Sequence, residues 1–372
     1  MLVGNGLSIA FNPSLALPAL TEALIEKVSS LASDESAAIE VLNRLVSSDL
    51  GEQTFEKFVG HLDESNINTE TLLKLAKNLS PSESELHDSI TRTSQFANTL
   101  RDWGVSIVLE TIHERSQIDR EERALLDRLL GRLGAAFPDG LVFGNLNYDT
   151  MLLTAMLSTY GSGRVADLAS GRATTYVTSD SRLVSVRSLR KVDDFPKSRI
   201  LHLNLHGSLQ FWADENRTTF VKLENHMLAD GSQWRSVRDG TTNIRPVVVL
   251  TNQKHKTDAV REFPFSIAYT KFGSALNSSP TWLVIGYSFT DRSVNELLTI
   301  ERVFAPVTPK VIVVTMGKGL TRKTIERAFG WKRQDHGSSS EWLTIFRRGA
   351  KEFSESPLLD DIATRPSSSF AL

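Results

Sequence analysis

Five short apolar runs constrain the fold of this chain more than any other feature: LVFGN (141–145), ILHLNLHG (200–207), PVVVLT (246–251), WLVIGYS (282–288) and KVIVVT (310–315). Each is rich in β-branched or large apolar residues and too short for a helix. That is the pattern of strands buried on both faces of a parallel sheet. Amphipathic helices are expected between them, at Asp149 to Leu157, Phe265 to Leu276, Arg292 to Phe304 and Thr321 to Phe329. The alternation specifies an α/β protein with a Rossmann-like, doubly wound parallel sheet. LQFW (209–212) and TTFVKL (218–223), separated by a polar turn, read as a hairpin leaving that sheet. Leu2 and Val3 supply a thin first strand, short enough to suggest that the sequence begins a few residues into it.

The first third has a different texture. Leu17, Leu20, Leu24, Ile25 and Val28 recur at helical spacing, as do Ala38, Ile39, Leu42, Leu45 and Val46. Phe55, Phe58, Val59 and Leu62 mark a third helix, and two more are expected near 90–112 and 124–133. Phe55 reads as core, and Glu56 is a weak candidate for the ligand crevice. Residues 1–350 are thus expected to form one nucleotide-binding domain, interrupted by a helical insertion at about 35–138. Residues 351–372, with Arg365-Pro366-Ser367, are expected to be a flexible tail.

Composition narrows the function. With a formal net charge of -2, the chain gives no reason to expect direct nucleic-acid or membrane binding. No apolar run approaches the ~20 residues that span a bilayer, and MLVGNGLSIAF lacks a basic signal-peptide start. A cytoplasmic protein is the expectation. The sequence has no cysteine, which excludes disulfides, thiolate zinc sites and cysteine nucleophiles. The eight histidines include no His-x-x-x-His pair on a helix and no His/Asp cluster with ligand spacing, so no metal is expected.

In an open parallel sheet the ligand lies at the carboxyl ends of the strands. Here those ends carry Gly4-Asn5-Gly6-Leu7-Ser8, then Asn145-Leu146-Asn147-Tyr148-Asp149, then His206-Gly207-Ser208, and finally Gly286-Tyr287-Ser288-Phe289-Thr290-Asp291. Gly4 and Gly6 would let the backbone approach a pyrophosphate and Ser8 could donate to it, although a plain strand-to-helix turn explains them too. Asn147 and Asp149 suit ribose hydroxyls or a carboxamide, or else a turn and a helix cap. His206, beside a glycine, is expected to be exposed, mobile and able to take a proton near neutral pH. His202 reads as structural. Gly286 and Ser288 could contact phosphate or ribose, while Asp291 reads first as a helix cap and second as a ligand contact. Lys254, Lys256 and Arg261 read as a solvated basic cluster with no chemistry.

Taken in order, these stations resemble the sirtuin superfamily, over residues 2 to about 315. Gly4-Asn5-Gly6-Leu7-Ser8 is similar to the Gly-Ala-Gly-x-Ser loop of sirtuins. Asn147-x-Asp149 is similar to their Gln-Asn-Ile-Asp element, His206-Gly207 to their catalytic His-Gly, and Gly286-Tyr287-Ser288 to their later Gly-x-Ser loop. The closest likeness is to sirtuin-like domains of bacterial antiphage defence systems, which also carry a segment similar to PVVVLT, Lys256, Pro264 and Tyr269. The resemblance implies an NAD hydrolase that releases nicotinamide and ADP-ribose, with Asn147 and His206 catalytic. It also implies cofactor binding by Gly4, Asn5, Gly6, Ser8, Asp149, Gly286, Ser288 and Asp291. The zinc-binding small domain of the deacylases is replaced here by the helical insertion, and Ser8-Ile9-Ala10-Phe11-Asn12-Pro13 departs from their substrate loop, which argues against deacylation. A non-catalytic sensor of NAD or ADP-ribose is the alternative. On family grounds a homo-oligomer is expected, with a HerA-like ATPase or an Argonaute protein as a regulatory partner.

Overall fold

The computed structural model describes residues 1–31, 54–79, 84–169, 173–177, 183–192, 194–250 and 253–363. The expected helix over 35–46 lies outside them, and so do the side chains of Phe55, Glu56 and Lys254.

The described residues form twelve strands, β1 to β12 in chain order. Seven of them make an all-parallel sheet: β1 (Leu2–Val3), β2 (Leu141–Asn145), β3 (Val165–Ala166), β6 (Ile200–Asn204), β10 (Thr281–Ile285), β11 (Lys310–Val314) and β12 (Leu343–Phe346). Their order is β12-β11-β10-β1-β2-β6-β3. The two-residue β1 holds the centre, with Leu2 aligned to Gly144 and Val284, and Val3 to Asn145 and Ile285. From it the chain first builds β2, β6 and β3 on one side, then β10 to β12 on the other. This reversal makes the ends of β1, β2 and β10 the natural ligand crevice.

Alternate residues of the strands enter cores on opposite faces. Leu2, Leu203, Val284 and Val311 join helices Phe265–Ser278, Arg292–Phe304 and Arg322–Ala328. Val3, Phe143, Ile285 and Val314 join Arg120–Ala136 and Met151–Tyr160 on the other face. The expected α/β doubly wound architecture is therefore present, with helices on both faces.

The sequence expectation needs three corrections. PVVVLT is not a strand of the parallel sheet. Residues 244–248 form β9, at the edge of a second, antiparallel sheet with the order β4-β5-β8-β7-β9. In it β4 is Thr174–Val177, β5 Leu183–Ser188, β7 Gly207–Asp214 and β8 Phe220–Leu223. Pro246 explains the placement, because proline lacks an amide donor and belongs on sheet edges. The expected hairpin is β7 and β8.

The helical block also divides. Helix Arg120–Ala136, capped by Asp119 accepting from the Glu122 amide, buries Leu126, Leu129, Leu130 and Leu133 against the parallel sheet. Helices Leu17–Leu31 and Ser84–Arg115 instead pack Leu20, Leu24, Val105 and Val108 with Leu209, Trp212 and Trp234 of the second sheet and its helices. Finally, the expected tail is helical at Gly349–Ser354 and Pro357–Ala363. Phe353 and Leu359 are buried with the Leu126 cluster, each worth roughly 1.5–3 kcal/mol of apolar burial. No helix among the described residues is long and apolar enough to cross a membrane.

Candidate active site

The carboxyl ends of five parallel strands line one cavity of about 900 Å³, at the large end for a cofactor or substrate site. Asn5 and Gly6 come from the end of β1, Asn147 and Asp149 from β2, and His206 from β6. Gly286, Ser288, Thr290 and Asp291 follow β10, and Thr315 and Met316 follow β11. Ile9, Leu15, Leu17, Leu20 and Ile112 add an apolar flank from the helices. Among the described residues no cluster of three or more His, Asp or Glu side chains is arranged to hold a metal ion.

Gly4 and Ser8 do not line the cavity. The Gly4 amide donates to Ile285 O at 3.0 Å and the Gly6 amide to Gly286 O at 2.8 Å, so both are used by the neighbouring loop. The glycines are needed for this backbone clasp. A Cβ on Gly4 would lie 2.6 Å from Gly286 O, and one on Gly286, at φ 66°, only 2.2 Å from the Leu7 nitrogen. Close approach of the two loops is sufficient to explain them, and Gly6 and Gly286 also line the cavity.

Ser8 is fully buried and ties the β1 loop to the β2 loop. Its hydroxyl donates to Asp149 Oδ2 at 2.8 Å and accepts from Asn147 Nδ2 at 2.9 Å. Asn147 Nδ2 also lies 3.2 Å from Gly4 O, and Asp149 Oδ1 accepts from the Met151 amide at 3.0 Å. Burial pushes the Asp149 carboxyl above its ordinary pKa, against the opposing hydrogen bonds from Ser8 and Met151. Both Asp149 oxygens are thus engaged within the protein. Asn147 Oδ1, in contrast, is buried with no hydrogen-bond partner among the described residues. An unmet buried acceptor is costly unless a ligand or water fills it.

His206 differs most from expectation: it is 4% exposed and its backbone is anchored on both sides. The Leu205 amide donates to Asn145 O at 2.8 Å and the Val249 amide to His206 O at 2.8 Å, because the chain passes there directly from one sheet into the other. Gly207, at φ 89°, starts β7 with no room for a Cβ beside Val247 O. Burial first, and the Lys256 ammonium second, push the His206 imidazole down to about 3, with Asp291 opposing. The ring is neutral near pH 7, not a group poised to charge.

His206 Nε2 lies 3.3 Å from the Tyr269 hydroxyl and 3.4 Å from Asp291 Oδ2. Asp291 is the helix cap expected of it, and its second oxygen is taken by a lysine. Its Oδ1 caps helix Arg292–Phe304 by accepting from the Val294 amide at 3.1 Å, and its Oδ2 meets Lys256 Nζ at 2.9 Å. Burial pushes the Asp291 carboxyl up, but the His206 ring, the Lys256 ammonium and the Val294 amide outweigh it and hold the group below its ordinary pKa. Burial and Asp291 raise Tyr269 well above its ordinary pKa, so it stays a hydroxyl.

Lys256 and Tyr269 are the site residues that reasoning from residue chemistry missed. Lys256 is 3% exposed on helix Gln253–Ala259, not part of a solvated cluster. The signal available was its place, with Tyr269, in the segment resembling the defence relatives. His202, as expected, is structural: it is buried, pushed down to about 4 by burial, and 3.3 Å from Asn145 Nδ2. The chain matches no protein-family model and no curated protein.

Proposed function

We propose that this chain is a sirtuin-like NAD hydrolase, releasing nicotinamide and ADP-ribose. The observation that carries the reading is the convergence of Asn5, Asn147, His206 and Ser288, from four separate strand ends, on one cavity of about 900 Å³. Such convergence at the switch point of a parallel sheet is the usual setting for a dinucleotide.

Cleavage of the glycosidic bond leaves an oxocarbenium-like ribose and neutral nicotinamide. The free Oδ1 of Asn147 suits a ribose hydroxyl or the attacking water, since Nδ2 is already fixed by Gly4 and Ser8. The neutral His206 ring, held far below an ordinary histidine by burial, accepts a hydrogen bond from the same groups and orients them, a positioning role worth up to ~10² in rate. Exposed Ser288 and Thr290, with Asn5, contact the diphosphate and adenosine half. Asp149, at the cavity wall, holds Ser8 and the loop in place. Incubation of the purified chain with NAD, followed by chromatography of nicotinamide and ADP-ribose, tests this. Full turnover by His206→Ala would sink it.

The self-satisfied Ser8–Asp149 contact and the depth of His206 favour one second reading, a non-catalytic sensor of NAD or ADP-ribose. Tight binding by titration calorimetry with no product over hours would select it. Under either reading the protein acts in antiphage defence as a homo-oligomer with a regulatory partner, of which a HerA-like ATPase or an Argonaute protein are examples.

A further inference from the structure

The buried ion pair of Lys256 and Asp291 has no part in the proposed hydrolysis, yet it lines the same cavity and touches the histidine. Lys256 is presented by helix Gln253–Ala259, Asp291 by the start of helix Arg292–Phe304, and Tyr269 by helix Phe265–Ser278. Tyr269 and Asp291 therefore meet at His206 Nε2, and Lys256 joins them through the Asp291 carboxylate. A structural ion pair gains little from such burial, since desolvation offsets the attraction of its charges. Placement beside the proposed reaction centre calls for a different account.

We propose that Lys256 is a positioning residue of the reaction centre, engaging the Asp291 carboxylate so that it anchors the His206 ring instead of pairing with it as an ion. The geometry makes the competition direct, because Lys256 Nζ and His206 Nε2 share one oxygen, Asp291 Oδ2, at 2.9 and 3.4 Å. The ammonium holds the shorter contact. Asp291 cannot swing away, because its other oxygen is fixed by the Val294 amide. Among the described residues, the other titratable neighbours are Tyr269 at the ring and Tyr287, whose hydroxyl lies 3.0 Å from Asp291 O and 2.9 Å from Asn295 Oδ1. Both tyrosines are held protonated by burial and by Asp291, so neither supplies a competing charge. Without Lys256, the lone carboxylate would draw a proton onto the imidazole and convert an acceptor into a cation.

This deepens the hydrolase reading, but one arm of its test is independent of turnover. Imidazole nitrogen spectra of histidine-labelled protein, assigned with His206→Gln, would be followed from about pH 5 to about pH 8, a range that brackets an ordinary histidine. Nicotinamide release from NAD would be measured over the same range. In the wild type the His206 signals should stay those of a neutral ring. In Lys256→Met they should titrate within the range, and kcat/KM should drop roughly tenfold or more toward its acid end with KM little changed, while Lys256→Arg restores both. Circular dichroism and a thermal midpoint on each variant confirm folding, and Asp291→Asn in the Lys256→Met background should return the ring to neutrality. A Lys256→Met protein whose His206 stays neutral with an unaltered pH profile would overturn the proposal, as would a wild-type His206 that titrates like a free imidazole. If the wild type releases no nicotinamide but the spectra behave as expected, the hydrolase reading fails and the role of Lys256 stands.

Discussion

The Ser8–Asn147–Asp149 knot and the His206–Lys256–Asp291 cluster border the same cavity but satisfy their polar atoms in opposite ways. In the knot, contacts of 2.8 to 3.2 Å join hydroxyl, amide and carboxylate, and only Asn147 Oδ1 is left over. In the cluster, one firm ion pair at 2.9 Å sits beside two loose contacts, at 3.3 and 3.4 Å, on the imidazole. The knot is a fastener between two loops. The cluster keeps directional capacity in reserve, as expected of a site whose hydrogen bonds tighten only around a ligand.

Substitutions should separate the two by what they damage. The largest effect on turnover is expected from His206→Ala, a fall of up to ~10² in nicotinamide release, well beyond the modest drop in thermal midpoint that emptying a buried position brings. An equal fall in both readouts would erase the distinction. Acid comes next, because both His202 and His206 are held neutral, at about 4 and about 3 against an ordinary 6.5. Below pH 6.5 the unfolded chain takes up protons that the native chain refuses, so stability is complete above that value and declines until about pH 3. The loss is on the order of 3 kcal/mol for His202 and 5 kcal/mol for His206; urea midpoints across the acid range measure it, and a flat profile would contradict the burial of both rings.

Gly286→Ala should cost about 3 kcal/mol, since a Cβ there meets the Leu7 nitrogen, and chemical denaturation would show it. Ser8→Ala strips the knot of its shared hydroxyl and should cost roughly 1–3 kcal/mol. If it removed turnover while leaving stability intact, the knot would be chemical after all. The smallest effect is expected from Tyr269→Phe, which deletes one loose contact and should lower kcat by less than about tenfold, near 1 kcal/mol.

Much of this site was legible because strands buried on both faces leave polar residues only at their ends. That logic placed Asn147, His206, Ser288 and Asp291 on one cavity directly from the sequence. The same apolar character misled for PVVVLT, where Pro246 was the signal for an edge. A strand end reads as a free end, which suggests a mobile His206, whereas Asn204 and Gly207 bound a two-residue passage between sheets. Lys256 was hidden for a different reason. Its burial comes from the Arg292–Phe304 helix and the Asp291 cap, residues far along the chain that no local pattern around Lys254 and Arg261 encodes. Helices Gly349–Ser354 and Pro357–Ala363 were hidden by brevity, with too few turns for a period to emerge.

The two-residue central strand also sets an order of assembly. Leu2 pairs with Gly144 on one side and with Val284 on the other, so its second neighbour arrives 282 positions later in the chain. Contacts of such separation form late, after local helices and hairpins. A nascent chain that ends short of β10 lacks the Gly6–Gly286 clasp, the Asp291 carboxylate and one wall of the cavity. Whatever chemistry the cavity performs is therefore withheld from any copy that stops short of β10, a safeguard written into connectivity and not into any inhibitor.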